Sequence, residues 1–371
     1  MAPISATAAV LRAPRQIELV AVPVPEPADD EAVLEVEACG LCGTDHELWS
    51  GMLFPGYALV PGHETIGRIV SIGPDAATSW GVSVGDRVAV EVFRSCRVCE
   101  ACRRGDERRC VEHGLATMYG FQPLESGCGL WGGWATHHVL GPGTLLVPVP
   151  AGLDPLTATL FNPLGAGIRW GATVPRTGPG DVVAVLGPGL RGLAAVAAAR
   201  AAGAELIMIT GAGDRDHPRL EAASAWGADL AVDVVDQDPV AALRGATGGR
   251  RADVVVDVTA GAPAAFGQAI ALSAPAGRVV VAGTRGPVDA PGFHPDDLVA
   301  KEITVYGTLG VDHSAYVEAM ALLGSHSLDL GVIDRRSEPL RRAGELVAAI
   351  AGEGDPPPHH AVLVPDEGDR A

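Results

Sequence analysis

Apolar and polar positions alternate in short runs over residues 8–37, broken by Pro23, Pro25 and Pro27, as strands joined by tight turns require. The first third of the chain therefore reads as mostly β. From Asp181 the pattern changes. VVAVLG predicts a short buried strand, Leu190 to Ala202 an Ala-rich helix and ELIMIT a second strand, together a βαβ unit that starts a parallel sheet. Ala-rich helical stretches at Leu220 to Trp226 and Pro263 to Leu272 then alternate with the apolar runs ADLAVDV, ADVVVDVT and GRVVVAG, the rhythm of a doubly wound fold. Beyond Lys301, ITVYGTLG predicts a strand and SAYVEAMALLGS a helix. The Pro/His-rich stretch Pro356 to His360, read as an exposed turn, precedes a last strand-like AVLV in a tail that returns to the first lobe. No repeat of fixed period and no long low-complexity linker interrupts this order.

A chain of 371 residues exceeds one ordinary core and predicts two domains. Its 47% hydrophobic content, with 48 Gly and 29 Pro, fits a folded, turn-rich protein rather than a disordered one. A formal charge of −18 lacks the electrostatic footprint of a phosphate-backbone binder, so nucleic acid is not an expected partner. The N-terminus has neither a basic n-region nor a small-residue cleavage pattern. No run of about 18 uninterrupted apolar residues offers a membrane span. The expectation is a cytoplasmic protein acting on a small molecule.

The seven cysteines, Cys39, Cys42, Cys96, Cys99, Cys102, Cys110 and Cys128, are odd in number and clustered, which favours metal ligation over a disulfide frame. Cys96, Cys99, Cys102 and Cys110 form C-x2-C-x2-C-x7-C. One loop of that spacing can close four thiolates around a tetrahedral ion at Zn–S distances of about 2.3 Å, leaving no position for substrate, hence a structural zinc. The alternatives are reduced cysteines without metal and an iron–sulfur cluster, whose usual runs are spaced differently. A second donor set lies upstream: Cys42 in CGLCGTDHEL, and His63 and Glu64 in PGHETIGRIVSIG. A catalytic zinc takes about three protein ligands of mixed character and keeps one position open, which Cys42 and His63 begin to satisfy. Taken singly, each is an ordinary structural residue.

Gly187-Pro188-Gly189-Leu190-Arg191-Gly192 gives G-x-G-x-x-G between a predicted strand and a predicted helix. That context turns a common glycine pattern into a dinucleotide loop, where backbone N–H groups and a helix N-terminus meet a pyrophosphate; the alternative is a plain tight turn. An acid that binds the adenosine ribose is expected at the end of the second strand, yet Thr210 and Gly211 stand there. Without it a 2′-phosphate meets less repulsion and Arg215 could bind one, while Asp214 pushes the other way. The balance falls slightly to NADP.

Cys-Gly-Thr-Asp at 42–45 and Gly-His-Glu at 62–64, followed by Gly67 and Gly73, resemble the zinc-containing alcohol dehydrogenases of the medium-chain dehydrogenase/reductase superfamily. The four-cysteine loop matches too, and the family order covers almost the whole chain, to Lys301-Glu302. The resemblance implies an α/β fold: a GroES-like, mostly-β catalytic domain over 1–165, a Rossmann doubly wound parallel-sheet NAD(P) domain over 166–302, and a C-terminal segment 303–371 returning to the first. It implies one catalytic and one structural Zn2+, and a homodimer or homotetramer formed through the cofactor domain.

The same resemblance implies that Cys42 and His63 ligate the catalytic zinc, with Glu64 beside it as an alternate ligand. Asp45 would hydrogen-bond the His63 ring, with an Asx-type turn cap as its other reading; Thr44 would contact the substrate oxygen and pass its proton on. Two departures stand out. The relay His of many relatives lies two residues after the Asp, whereas here His46 follows it directly and Glu47 takes that place. The place of the third ligand, a Cys, Asp or Glu in relatives, is taken by Asn162 in LFNPLGAG, whose neutral amide is a weaker zinc donor, with a hydrogen bond to a zinc-bound water as its other reading. An acid at the relay position, as in some sugar-oxidising relatives, favours polyhydroxylated substrates. The implied activity is hydride transfer between an alcohol or polyol, or the matching carbonyl, and NAD(P). A zinc-independent enone or quinone reductase, which Asn162 favours and Cys42 with His63 oppose, and a catalytically silent NAD(P)-binding scaffold are the other readings. Phe93, Arg94, Met118, Tyr119, Trp131 and Trp134 are candidates to line a pocket or to pack a core; His359 and His360 are assigned no role.

Overall fold

A computed structural model describes residues 4–353 and 357–369; Pro356, the start of the predicted Pro/His-rich stretch, lies outside them. The described residues divide into two compact units. One gathers the chain up to Asn162, Asp312–Ser327 and the segment from Asp334 onward; the other gathers Pro163–Val311 and Leu328–Ile333.

In the first unit β1 (Ser5–Ala13) and β2 (Gln16–Pro23) form an antiparallel hairpin. Next come β3 (Ala32–Leu41), β4 (Glu64–Ile72), β5 (Arg87–Val90), β6 (His137–Leu140) and β7 (Leu146–Pro148). The second unit holds β8 (Val182–Leu186), β9 (Leu206–Gly211), β10 (Leu230–Asp233), β11 (Ala252–Asp257), β12 (Ser273–Val281) and β13 (Thr304–Gly307). The chain re-enters the first unit at Asp312–Ser327, revisits the second at Leu328–Ile333, and ends in the first with β14 (Arg335–Glu338) and β15 (His360–Leu363); the return expected from residue 303 is thus corrected, because β13 still pairs with β12 in the parallel sheet.

The sheet of the first unit runs β14-β15-β3-β4-β5-β7, with β6 also on β3. β3 is its axis. One edge pairs with β4, while the other is shared by β6 near Ala32–Glu35 and β15 near Cys39–Leu41. Pairing on both edges explains why β3 is buried along most of its length. Gly67 and Gly73, spaced like the family motif, meet a steric demand: a Cβ on Gly67 would overlap the Glu35 carbonyl oxygen, and one on Gly73 the Ala28 carbonyl oxygen. Beside Gly67 the β3–β4 register shifts between Val36 and Ala38, a bulge that bends the strand.

The second unit is a six-stranded, wholly parallel sheet in the order β10-β9-β8-β11-β12-β13. Counted within the unit this is 3-2-1-4-5-6, with the direction of winding reversing between β8 and β11. The helices Leu190–Ala201, His217–Ala225, Pro239–Ala246, Ala264–Leu272 and Pro295–Lys301 supply the crossovers. All five residues of β8 are buried, as a central parallel strand covered on both faces must be. No helix among the described residues is long and apolar enough to cross a membrane.

The exposed turn expected at His360 is corrected. This residue begins β15 and is buried; its Nδ1 accepts from Arg335 Nε at 3.1 Å and its Nε2 lies 2.9 Å from Thr159 Oγ1. Burial, helped by the nearby Arg335 charge, pushes its pKa down to about 3, so the ring is a neutral hydrogen-bonding wedge.

A Gly67→Ala substitution should lower unfolding free energy by about 1–3 kcal/mol, the usual cost of forcing atoms into a packed site. Urea denaturation followed by tryptophan fluorescence checks this; an unchanged midpoint would show that β3 and β4 can part without penalty.

Candidate active site and metal centres

Cys42 leaves the end of β3 and caps the helix Gly43–Ser50; His63 immediately precedes β4. Because Gly40 pairs with Glu64 across the two strands, both donors emerge at one end of the ladder. Cys42 Sγ lies 3.3 Å from His63 Nε2. Tetrahedral bonds of about 2.3 Å to sulfur and about 2.0 Å to nitrogen separate two ligand atoms by about 3.5 Å, so the pair fits a shared zinc. Cys42, Asp45 and His63 form a group whose donor atoms all lie within 4.8 Å of one another.

Asp45 does not make the hydrogen bond expected of it. Its Oδ1 is 3.7 Å from His63 Nδ1, beyond hydrogen-bond range, while its Oδ2 accepts the Cys42 N–H at 2.8 Å. It closes the first helical turn and sets a buried carboxylate beside the imidazole. Glu64 is buried but is not a member of the Cys42–Asp45–His63 group; a Cβ on Gly40 would meet its Oε2 at 2.5 Å, so the glycine makes room for it. Thr44 is half-buried. His46 Nε2 lies 3.3 Å from Glu353 Oε1, a carboxylate also held by two hydrogen bonds from Arg15 at 2.7 and 2.8 Å. Glu47, at the relay position, is buried. Asn162 donates its amide N–H to Tyr316 Oη at 3.0 Å, which turns its amide oxygen the other way.

The four cysteines are also assembled. Cys96 Sγ and Cys102 Sγ are 3.9 Å apart, near the roughly 3.8 Å edge of a tetrahedron with 2.3 Å bonds. The Cys99 N–H points at Cys96 Sγ (3.3 Å) and the Cys102 N–H at Cys99 Sγ (3.5 Å). Backbone N–H groups of Cys102 and Val111 hold the Cys99 thiol down to about 6, favouring the thiolate that a metal needs. The loop is tied to the helix His313–Gly324: Arg108 joins Asp106 at 2.7 Å and Asp312, and His313 Nδ1 lies 2.8 Å from Glu91. That helix carries Tyr316, the partner of Asn162. Sequence reasoning missed this chain of contacts because its members are far apart in sequence.

Among the pocket candidates, Tyr119 and Trp134 are fully buried core residues and Phe93 and Arg94 are buried, while Trp131 Nε1 donates to the Ser126 carbonyl at 2.6 Å.

In the second unit the glycine loop joins β8 to the helix Leu190–Ala201. Gly187 has φ +99°, open to glycine at little cost; a Cβ on Gly192 would overlap the Gly187 carbonyl oxygen. A Cβ on Gly189, the N-cap, would meet nothing within 4 Å. No protein neighbour demands a glycine there, and a pyrophosphate lying on the loop would. Thr210 and Gly211 end β9, and Arg215 is exposed. Asp257, unmarked by the sequence reasoning, ends β11 beside β8; it is buried and accepts from the Thr259 N–H (3.1 Å), the Thr259 hydroxyl (2.7 Å) and Arg285.

Two family models match the chain: an alcohol dehydrogenase GroES-like domain over residues 28–151 and a zinc-binding dehydrogenase over residues 192–325. A protein of Mycobacterium tuberculosis described as a probable alcohol dehydrogenase is 59% identical over 96% of this chain and 98% of its own length. The chain belongs to the zinc-containing alcohol dehydrogenase family. A sorbitol dehydrogenase of Bacillus subtilis is 31% identical over 87% of both chains. A zinc-binding dehydrogenase structure from Sinorhizobium meliloti 1021, bound to NADP, is 26% identical with a TM-score of 0.79, covering 97% of this chain and 99% of its own. This alcohol dehydrogenase relative is thus an alcohol oxidoreductase of α/β fold, with a GroES-like domain and a Rossmann-like parallel sheet.

If the four thiols hold a zinc, replacing Cys110 by Ser should remove one zinc equivalent and raise the rate of tryptic cleavage between Arg97 and Arg109 by about tenfold or more, because a loop with little apolar core would depend on a bound metal for order. Elemental analysis with timed proteolysis checks this; full zinc content and wild-type cleavage would show the four thiols to be metal-free.

Proposed function

We propose that this chain is a zinc-dependent, nicotinamide-dinucleotide-linked dehydrogenase that interconverts an alcohol or polyol and its carbonyl, with metal chemistry in the first unit and dinucleotide binding in the second. The observation that carries the proposal is the 3.3 Å approach of Cys42 Sγ to His63 Nε2 beside the buried Asp45. Zinc would supply Lewis acidity that lowers the pKa of a substrate hydroxyl, and the dinucleotide would accept or deliver hydride.

The chain's own residues have distinct tasks. Cys42 and His63 would hold the metal through one sulfur and one imidazole nitrogen. Asp45 fixes Cys42 at the helix start by accepting its N–H, and its carboxylate beside Nδ1 would favour the tautomer protonated there, leaving the Nε2 lone pair for the metal. Thr44, in the first turn after Cys42, would take the proton of the substrate hydroxyl. From Thr44 the proton would pass toward His46, whose contact with Glu353 offers an acceptor at a partly exposed position. Asn162, its N–H turned to Tyr316, would offer an amide oxygen, with buried Glu64 as the alternate ligand. Buried Glu47 and the similarity to a sorbitol dehydrogenase support a polyhydroxylated substrate. The glycine loop would seat the pyrophosphate on the N-terminus of helix Leu190–Ala201.

Zinc analysis on wild type and Cys42→Ala, with turnover of a polyol and carbonyl panel, tests the reading. Two zinc ions per chain are expected, one lost in Cys42→Ala together with at least about a thousandfold fall in kcat/KM, the several kcal/mol that Lewis-acid stabilisation is worth. One zinc, unaffected by the substitution, would sink the catalytic-zinc reading and leave a zinc-independent reductase or a silent binding protein.

A further inference from the structure

The end of β9 lacks the acid that a ribose-binding site calls for, and the structure fills that place from elsewhere. A Cβ built on Gly211 would meet the Cβ of Asp216 at 2.9 Å, Pro188 Cγ at 3.1 Å and Leu220 Cδ1 at 3.2 Å. Asp216, at the N-cap of the helix His217–Ala225, therefore stands in the space that a side chain at 211 would take, a space also bordered by the proline inside the glycine loop. Its Oδ2 accepts the Ala212 N–H at 2.9 Å and its Oδ1 faces Arg219 Nη1 at 3.3 Å. Each carboxylate oxygen has a further lone pair for a hydroxyl donor.

Most of the surrounding charges point the same way. Asp233, at the end of β10, accepts the Gly213 and Val235 N–H groups at 2.9 Å and pairs with His217 Nε2 at 2.9 Å. Arg219 faces Asp216, and His217 faces Asp233 and Asp214. Arg219 and His217 thus already have carboxylate partners, while Arg215, exposed in the same loop, pulls the other way. A dianionic 2′-phosphate set beside Asp216 would meet like charge, whereas a ribose diol brings two O–H donors to an acceptor.

We propose that Asp216 reads the adenosine ribose in place of an acid at position 211 and sets the coenzyme preference to NAD over NADP. This rests on the dinucleotide reading of the glycine loop. It replaces the NADP preference drawn from the sequence, which weighed Thr210, Gly211, Asp214 and Arg215 but could not see that Gly211 is small because Asp216 fills its place.

Calorimetric titration of the full chain with NAD+, NADP+, AMP and adenosine 2′,5′-bisphosphate tests it without requiring turnover. Wild type should bind NAD+ and AMP about tenfold or more tightly than their 2′-phosphorylated counterparts, the discrimination expected of one like-charge contact. Asp216→Asn should cut that ratio by about tenfold at an unchanged unfolding midpoint. The exchange of Gly211→Asp with Asp216→Gly, which moves the acid to the strand end and removes the shortest of the three contacts there, should restore the ratio. Wild type favouring NADP+ overturns the proposal even if no variant folds, and so does an Asp216→Asn ratio equal to wild type. If wild type binds none of the four, the dinucleotide reading falls and the proposal with it. Cys42→Ala should keep the wild-type preference, which separates this result from the fate of the zinc reading.

Discussion

Gly40 stands opposite Glu64 in the β3–β4 ladder, so the residue two places after Gly40 and the residue just before Glu64 leave the sheet side by side. Cys42 and His63 owe their 3.3 Å separation to that register, and a slip of one residue would turn the neighbouring side chains to the opposite face. Much of the first unit secures this pairing. β15 grips the other edge of β3 at Cys39–Leu41, and Gly67 lets β4 close against β3 beside the bulge at Glu37. Gly40 leaves the volume that Glu64 enters.

The four-cysteine loop belongs to the same construction, although none of its thiols is in the Cys42 group. Arg108 and the Glu91–His313 pair fix the start of helix His313–Gly324 against it, and Tyr316 on that helix orients the Asn162 amide while its ring packs at a tilt against Phe161, centroids 5.1 Å apart. The four-thiol loop can thus bear on a distant residue, by fixing the helix that sets the Asn162 rotamer. Burial raises the Glu91 pKa to about 7 against the opposing pull of His313, so the acid in this link titrates near neutral pH.

What the sequence revealed were features written in consecutive residues. The run VVAVLG, its glycines and the following Ala-rich helix identify a βαβ start because strand, loop and helix are adjacent, and the parallel sheet bears this out. Cysteine spacing marks a loop for the same reason. β14 escaped notice because Arg335–Glu338 is polar and becomes a strand only by pairing with β15. His360 looked like part of a turn after three prolines, and only Arg335 and Thr159, remote in sequence, make it a buried wedge. The helix Pro239–Ala246 was legible in principle: Asp238 caps it by accepting the Val240 and Ala241 N–H groups, with Pro239 at its first position.

Glycines show most clearly how one letter hides several constraints. Gly187 answers to backbone conformation, Gly192 to the carbonyl of Gly187, and Gly211 to Asp216, while Gly189 answers to nothing within the protein. A substitution at the first three would be resisted by the fold itself, whatever ligand is bound. At Gly189 a methyl group has room in the protein alone, so the internal cost there is the modest one of a poorer helix N-cap. The four glycines therefore answer to different neighbours, and no glycine pattern read from sequence can separate them.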